Sequence, residues 1–243
     1  MPSLIETTIE AFGRAGIDLA PLGLAWARVM PSVTLVPAFG LRALPAPARA
    51  VLGLALAACV VPAVGPLETV PPGPWPLLVV AEIFRGLPVA IAAAVPLWAA
   101  TMAGGVADAL RGSQETPSAP TVEGPATPMG IALSLLASAM FLATGGPARV
   151  VTALATRQSE VHPLLAAAGD LANGITLAVA LGGPLLAAAV VVEIAGAIVA
   201  RAASPAQVQA LVAPLRALGT LAVTAVVFNR LSVALAKAIL SSP

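Results

Sequence analysis

An apolar run of about 30 residues, Trp75 to Gly104, carries two opposite charges, Glu82 and Arg85, and two prolines, Pro88 and Pro96. As a helix it would reach roughly 45 Å, against about 30 Å of bilayer hydrocarbon. It is too long for one simple span, and its charges have no place in lipid. Intramembrane charge on broken helices marks a conduction path or a tightly packed assembly. The run therefore points to a membrane machine rather than a soluble enzyme.

Composition agrees. Hydrophobic residues make up 59% of the chain and charged residues 9%, whereas a soluble domain carries about 25% charged residues to solvate its surface. Mean hydropathy is +0.98. A net charge of +1 gives no basis for binding nucleic acid. The single Cys59 excludes a disulfide framework and any cysteine-based metal site. His162 is the only histidine, in a loop before Pro163, so no metal centre is expected. Ser159 and His162 share one short loop without a nucleophile elbow or an orienting acid, so no catalytic residue and no cofactor are expected either. The early charges Glu6, Glu10 and Asp18 are not a basic signal-peptide start, so the chain is expected to stay in a bacterial-type inner membrane.

The pattern reads as all-α, a multi-pass protein with about six apolar helical segments, several broken or kinked, forming one domain over residues 1–243. Ser3 to Glu6 fits a capping box, and Leu4, Ile5, Ile9 and Phe12 share a face, which predicts an amphipathic interfacial helix over 3–16. The apolar segments run from Leu19 to Leu41, Ala50 to Leu67, Trp75 to Gly104, Met129 to Thr144, Leu171 to Arg201 and Leu215 to Ala236. A polar connection carrying Arg149, Arg157, His162 and Asp170 is expected after Gly145-Gly146-Pro147. Residues 108–127 form the one markedly polar stretch, with Arg111, Gly112, Ser113, Gln114, Glu115 and Glu123, and no visible period, so they read as an irregular loop. Lys and Arg divide almost evenly between the two sides, and orientation cannot be read.

Five charges fall within or beside the apolar segments as candidate intramembrane polar contacts: Arg28, Glu82, Arg85, Glu193 and Arg201. Glu82 and Arg85, at i and i+3, are close enough to pair. A plainer reading puts both at the membrane edge, with Gly86–Ala107 as the span; residues 75–81 then need cover from a partner. Arg28 either snorkels to the interface or pairs with a carboxylate on another helix. Glu193 is either a proton-relay carboxylate or a polar contact to a neighbouring helix. Small residues are spread along the spans and allow close helix packing, so subunit assembly is expected.

The ordered set of these positions resembles the SctT/FliR family of type III secretion export-apparatus proteins. Arg28, Pro37, Phe39, Pro45, Arg49, Leu52 and Pro62 resemble its opening helix pair and the turn between them. Glu82 and Gly86 match its E-x3-G, and Gly104-Gly105, Asp108, Arg111 and Gly112 resemble its G-x3-D-x2-RG. Gly145-Gly146, Ser159 with Pro163, Pro184, Glu193, Arg201 and Pro214-Leu215 follow in order. The N-R-x-A-P-Q turn departs, reading Ala200-Arg201-Ala202-Ala203-Ser204-Pro205-Ala206-Gln207. Asp108, Arg111, Gly112 and Gly145-Gly146 favour the injectisome branch over the flagellar one.

The resemblance implies a subunit of the inner-membrane export gate, not an enzyme and without cofactors. Its partners would be SctR/FliP-like, SctS/FliQ-like and SctU/FlhB-like subunits, membrane lipid, and secreted protein substrates passing unfolded. It also implies a pore plug or gating loop at Arg111 to Pro125, including Arg111, Gly112, Ser113, Gln114, Glu115 and Glu123. The alternative from a different class is a small-solute secondary transporter, with Glu193 near a midplane site.

Overall fold

The computed structural model describes residues 13–14, 19–39, 45–64, 74–110, 127–156, 162–202 and 205–242, which are almost entirely helical and contain no strand. In chain order these are α1 (Leu19–Leu35), a 3-10 turn (Pro37–Phe39), α2 (Ala46–Val64), α3 (Trp75–Leu110), α4 (Pro128–Ala143), α5 (Gly146–Thr156), α6 (Pro163–Ala202) and α7 (Pro205–Ser241). Four of them (α2, α3, α6 and α7) contain stretches long and apolar enough to cross a membrane, and α4 with α5 makes a fifth if the bent pair is one span. α1 is a shorter apolar helix of 17 residues. Each of the six expected apolar segments thus corresponds to a helix, and the all-α, multi-pass architecture holds. Gly13 and Arg14 are helical, while the rest of the amphipathic helix expected over 3–16 lies outside the described residues.

The helix boundaries differ from the sequence reading in two informative ways. α3 continues through Pro88 and Pro96, and α6 through Gly182-Gly183-Pro184. Each proline removes one backbone hydrogen bond, but Pro88 and Pro96 are buried among neighbouring helices, which can hold the helix together around the gap. The chain breaks instead between α4 and α5, which meet at 66°. There Gly145 takes φ +73°, a left-handed conformation that glycine adopts without a Cβ penalty. The second difference is α5 itself, which occupies part of the expected polar connection. Gly146, Val150 and Leu154 fall at i, i+4 and i+8 on its buried face, an apolar stripe obscured by nearby charges.

α3 is the central helix. It packs most extensively on α6, then on α1 and α4, and touches α5 and α7. Val89, Ala93, Leu97, Ala100 and Ala103 of α3 form the core with Val29 and Val33 of α1, Leu133 and Phe141 of α4, Leu181 and Leu185 of α6, and Leu231 and Leu235 of α7. Phe141 meets Phe39 edge to face, with centroids 6.2 Å apart, a favoured aromatic geometry.

The tightest crossing in this core is α1 over α3. A Cβ on Gly86 would lie 2.9 Å from the Arg28 carbonyl carbon and closer still to its oxygen. The obstacle is backbone, so neither helix can yield without moving as a whole. Gly86→Ala is therefore expected to destabilise the protein by more than about 2 kcal/mol through overpacking. Gly169→Ala, where a Cβ meets nothing within 4 Å, should be neutral or stabilising by up to about 1 kcal/mol through helix propensity. Unfolding midpoints of the two variants in the same detergent check this, and equal midpoints would contradict it.

Candidate functional site

Glu82 lies one turn before Gly86 on α3, so both face the same neighbour. The close approach that Gly86 permits brings Arg28 of α1 against the Glu82 carboxylate. Arg28 Nε donates to Glu82 Oε2 at 2.6 Å, and Arg85 Nη1 donates to Oε1. Glu82 is only 4% exposed, and a carboxylate buried so deeply is costly without such partners. Arg28 Nη1 also reaches the Leu154 carbonyl at 3.3 Å. That carbonyl belongs to the last turn of α5, where the helix end carries partial negative charge. One carboxylate therefore ties α1 to α3, and Arg28 extends the tie to α5.

The far end of α3 repeats the arrangement with the order reversed. Gly104 and Asp108 are again one turn apart, now facing α4. A Cβ on Gly104 would fall 2.5 Å from the Met129 carbonyl oxygen and 2.6 Å from the Gly130 backbone. Asp108, fully buried, accepts the Met129 N–H at 2.6 Å. This satisfies one of the amide donors that any helix leaves open in its first turn. Thr127 is the N-cap and accepts from Gly130 N–H at 3.3 Å, with Pro128 opening the helix. The two ends flanking the polar segment are thus held together from both sides. Asp108 stood in the sequence only as a motif position at the start of that segment. A Thr-Pro helix start after a glycine–aspartate pair is the signal that identifies it as an anchor.

Arg149 is a further residue that sequence reasoning placed only in a connection. It sits in the first turn of α5, and its Nη1 donates to the carbonyls of Ile239, Leu240 and Ser242 at 2.8, 3.0 and 3.1 Å. These belong to the end of α7, where a cation both satisfies open carbonyls and complements the helix dipole. Arg149 so docks the chain's last helix onto the α4–α5 break.

Arg28, Glu82 and Arg85 are the expected polar contacts that converge. Glu193 and Arg201 lie elsewhere, on the exposed C-terminal part of α6. Arg201 is in the last turn of that helix, where its charge suits the dipole. The expected gating residues Arg111, Gly112, Ser113, Gln114, Glu115 and Glu123 lie outside the described residues. Among the described residues no three His, Cys, Asp or Glu side chains are placed to hold a metal ion.

The network should behave as one unit. Glu82→Leu alone leaves Arg28 buried without its carboxylate and should cost about 3–5 kcal/mol. Adding Arg28→Met should recover part of that loss, so the double variant unfolds later than the sum of the singles requires. Detergent unfolding of the four species measures the coupling, and additive losses would refute it. At the other end, Asp108→Asn keeps an acceptor for Met129 N–H and should be mild, while Asp108→Leu should lose about 1–3 kcal/mol.

The family model described as Bacterial export proteins, family 1, matches residues 19–241, which includes both carboxylate–glycine pairs and every described helix from α1 to α7. No curated protein matches the chain. The chain belongs to this family of membrane export components.

Proposed function

We propose that this member of the export family is the SctT/FliR-type subunit of a type III secretion gate in the bacterial inner membrane. In this reading it assembles with SctR/FliP-like and SctS/FliQ-like subunits, beside an SctU/FlhB-like protein, around a channel for unfolded substrates. It contributes structure and gating rather than catalysis. The observation that carries the proposal is the amount of apolar surface the chain leaves uncovered. Half of α3's membrane-length stretch is buried within the chain, but only 17% of that in α2, 17% in α6 and 18% in α7. α3 and α6, at 36 and 40 residues, would be about 54 and 60 Å long, well beyond the hydrocarbon of a bilayer. Lipid can cover a 30 Å band of such helices, and the remainder needs protein.

The transporter alternative wants a carboxylate enclosed near a midplane site. Glu193 is exposed on α6, on a stretch where no described residue between Leu186 and Ala202 is buried. That placement suits a subunit contact better than a solute site. The motif Asp108, Arg111, Gly112 and the pair Gly145-Gly146 support the injectisome branch within the proposal.

The polar segment Arg111 to Pro125 is the proposed plug. Its support is its composition, and the anchoring of both flanks by Gly104, Asp108 and Thr127. Because the flanks are held independently of the loop, deleting Ser113 to Pro120 should leave assembly nearly unchanged. The complete gate should then leak ions or small solutes when closed, measured as membrane permeability in cells beside the unaltered protein. A deletion that blocks assembly, or one that assembles and remains sealed, would rule the plug out.

A further inference from the structure

Arg85 is half solvent-exposed on a helix face that is otherwise apolar. Leu77, Val80, Ala81, Phe84 and Arg85 recur at three- and four-residue spacing along one side of α3, all exposed. The network behind them is unbalanced. Two guanidinium groups, Arg28 and Arg85, share the single Glu82 carboxylate. Arg28 is covered, with its Nε on Glu82 and its Nη1 on the α5 C-terminal turn. Arg85 uses one nitrogen on Glu82 and turns a side chain 52% exposed outward. Arginine cannot shed its proton to escape an apolar setting, so the surplus charge has to be met by an anion.

We propose that this face of α3 receives a membrane helix of another export subunit that carries an aspartate or glutamate, which pairs with Arg85. The inference rests on the gate-subunit reading above and specifies one of its contacts. Lipid phosphate does not satisfy the geometry. The exposed apolar face from Trp75 to Phe84 extends about 15 Å beyond Arg85 toward the start of α3. If Arg85 stood at headgroup level, that stretch would project into water and need a protein cover. If the stretch lay in hydrocarbon, Arg85 would be below the phosphates and need a carboxylate from protein. Both placements call for a protein helix. A symmetric second copy fails on charge, because it would set Arg85 against Arg85 across the twofold. An acidic residue on an otherwise apolar helix answers both the surface and the surplus.

The test expresses the tagged chain with the full set of export subunits and quantifies what co-purifies in mild detergent. Arg85→Asp should reduce the co-purified partner by about tenfold or more, the scale for breaking a desolvated charge pair. Arg85→Lys should retain most of it. In the otherwise unaltered chain, a photoreactive residue at position 84 should crosslink to that partner's helix, and changing its acidic residue to lysine should restore binding to the Arg85→Asp chain. Undiminished co-purification by Arg85→Asp would overturn the proposal, as would crosslinks from position 84 only to lipid or to a second copy. Those outcomes leave the gate-subunit reading standing when the unaltered chain co-purifies with the export subunits. No co-purification by the unaltered chain would overturn both.

Discussion

Between helices in a membrane there is little hydrophobic driving force, because lipid tails are as apolar as the side chains they would replace. Close backbone approach and polar pairing decide which helices stay together. α3 supplies both at two points about 30 Å apart along its axis. At Glu82 and Gly86 it holds α1, and through Arg28 it holds α5. At Gly104 and Asp108 it holds the start of α4. In each case the glycine removes the side chain that would keep the helices apart, and the carboxylate one turn away binds what the approach brings near. The rest of the bundle is arranged around this helix, with Arg149 closing it by fastening the end of α7 to α5.

The same helix shows how unevenly the chain covers its own apolar surface. Its middle, from Gly86 to Asp108, is largely enclosed, whereas none of its first seven residues, Trp75 to Ala81, is buried. α6 and α7 likewise bury residues that face the bundle, at Leu181, Leu185, Leu231 and Leu235, and no described residue of α6 from Leu186 to Ala202 is buried. An export component that joins a larger assembly needs such surfaces. The anchored flanks of the polar segment let its sequence vary without disturbing the helices on either side.

Much of this organisation was legible in the sequence, and what was not has a physical reason. The apolar segments dominate the composition, so each expected span has its helix. The Glu82–Arg85 pair is local and readable at i, i+3. Arg28 stands 54 residues from Glu82, which is why the sequence left it between snorkelling and pairing. Asp108 binds a backbone amide 21 residues away, a partner with no side-chain identity to give it away. Pro88 and Pro96 read as breaks because their cost is intrinsic, while the packing that absorbs it is tertiary. α5 was hidden by Arg149, whose charge reads as a connection but serves the end of α7.

The central claim is that this chain is one part of a multi-subunit gate and is not self-sufficient. The most direct measurement compares the mass and lifetime of the detergent-purified protein made alone with those of the protein made alongside SctR/FliP-like and SctS/FliQ-like subunits. The account predicts a short-lived or aggregating species alone and a defined hetero-oligomer containing this chain when the partners are present. A monodisperse, long-lived monomer or homo-oligomer purified alone, unchanged by the partners, would contradict it.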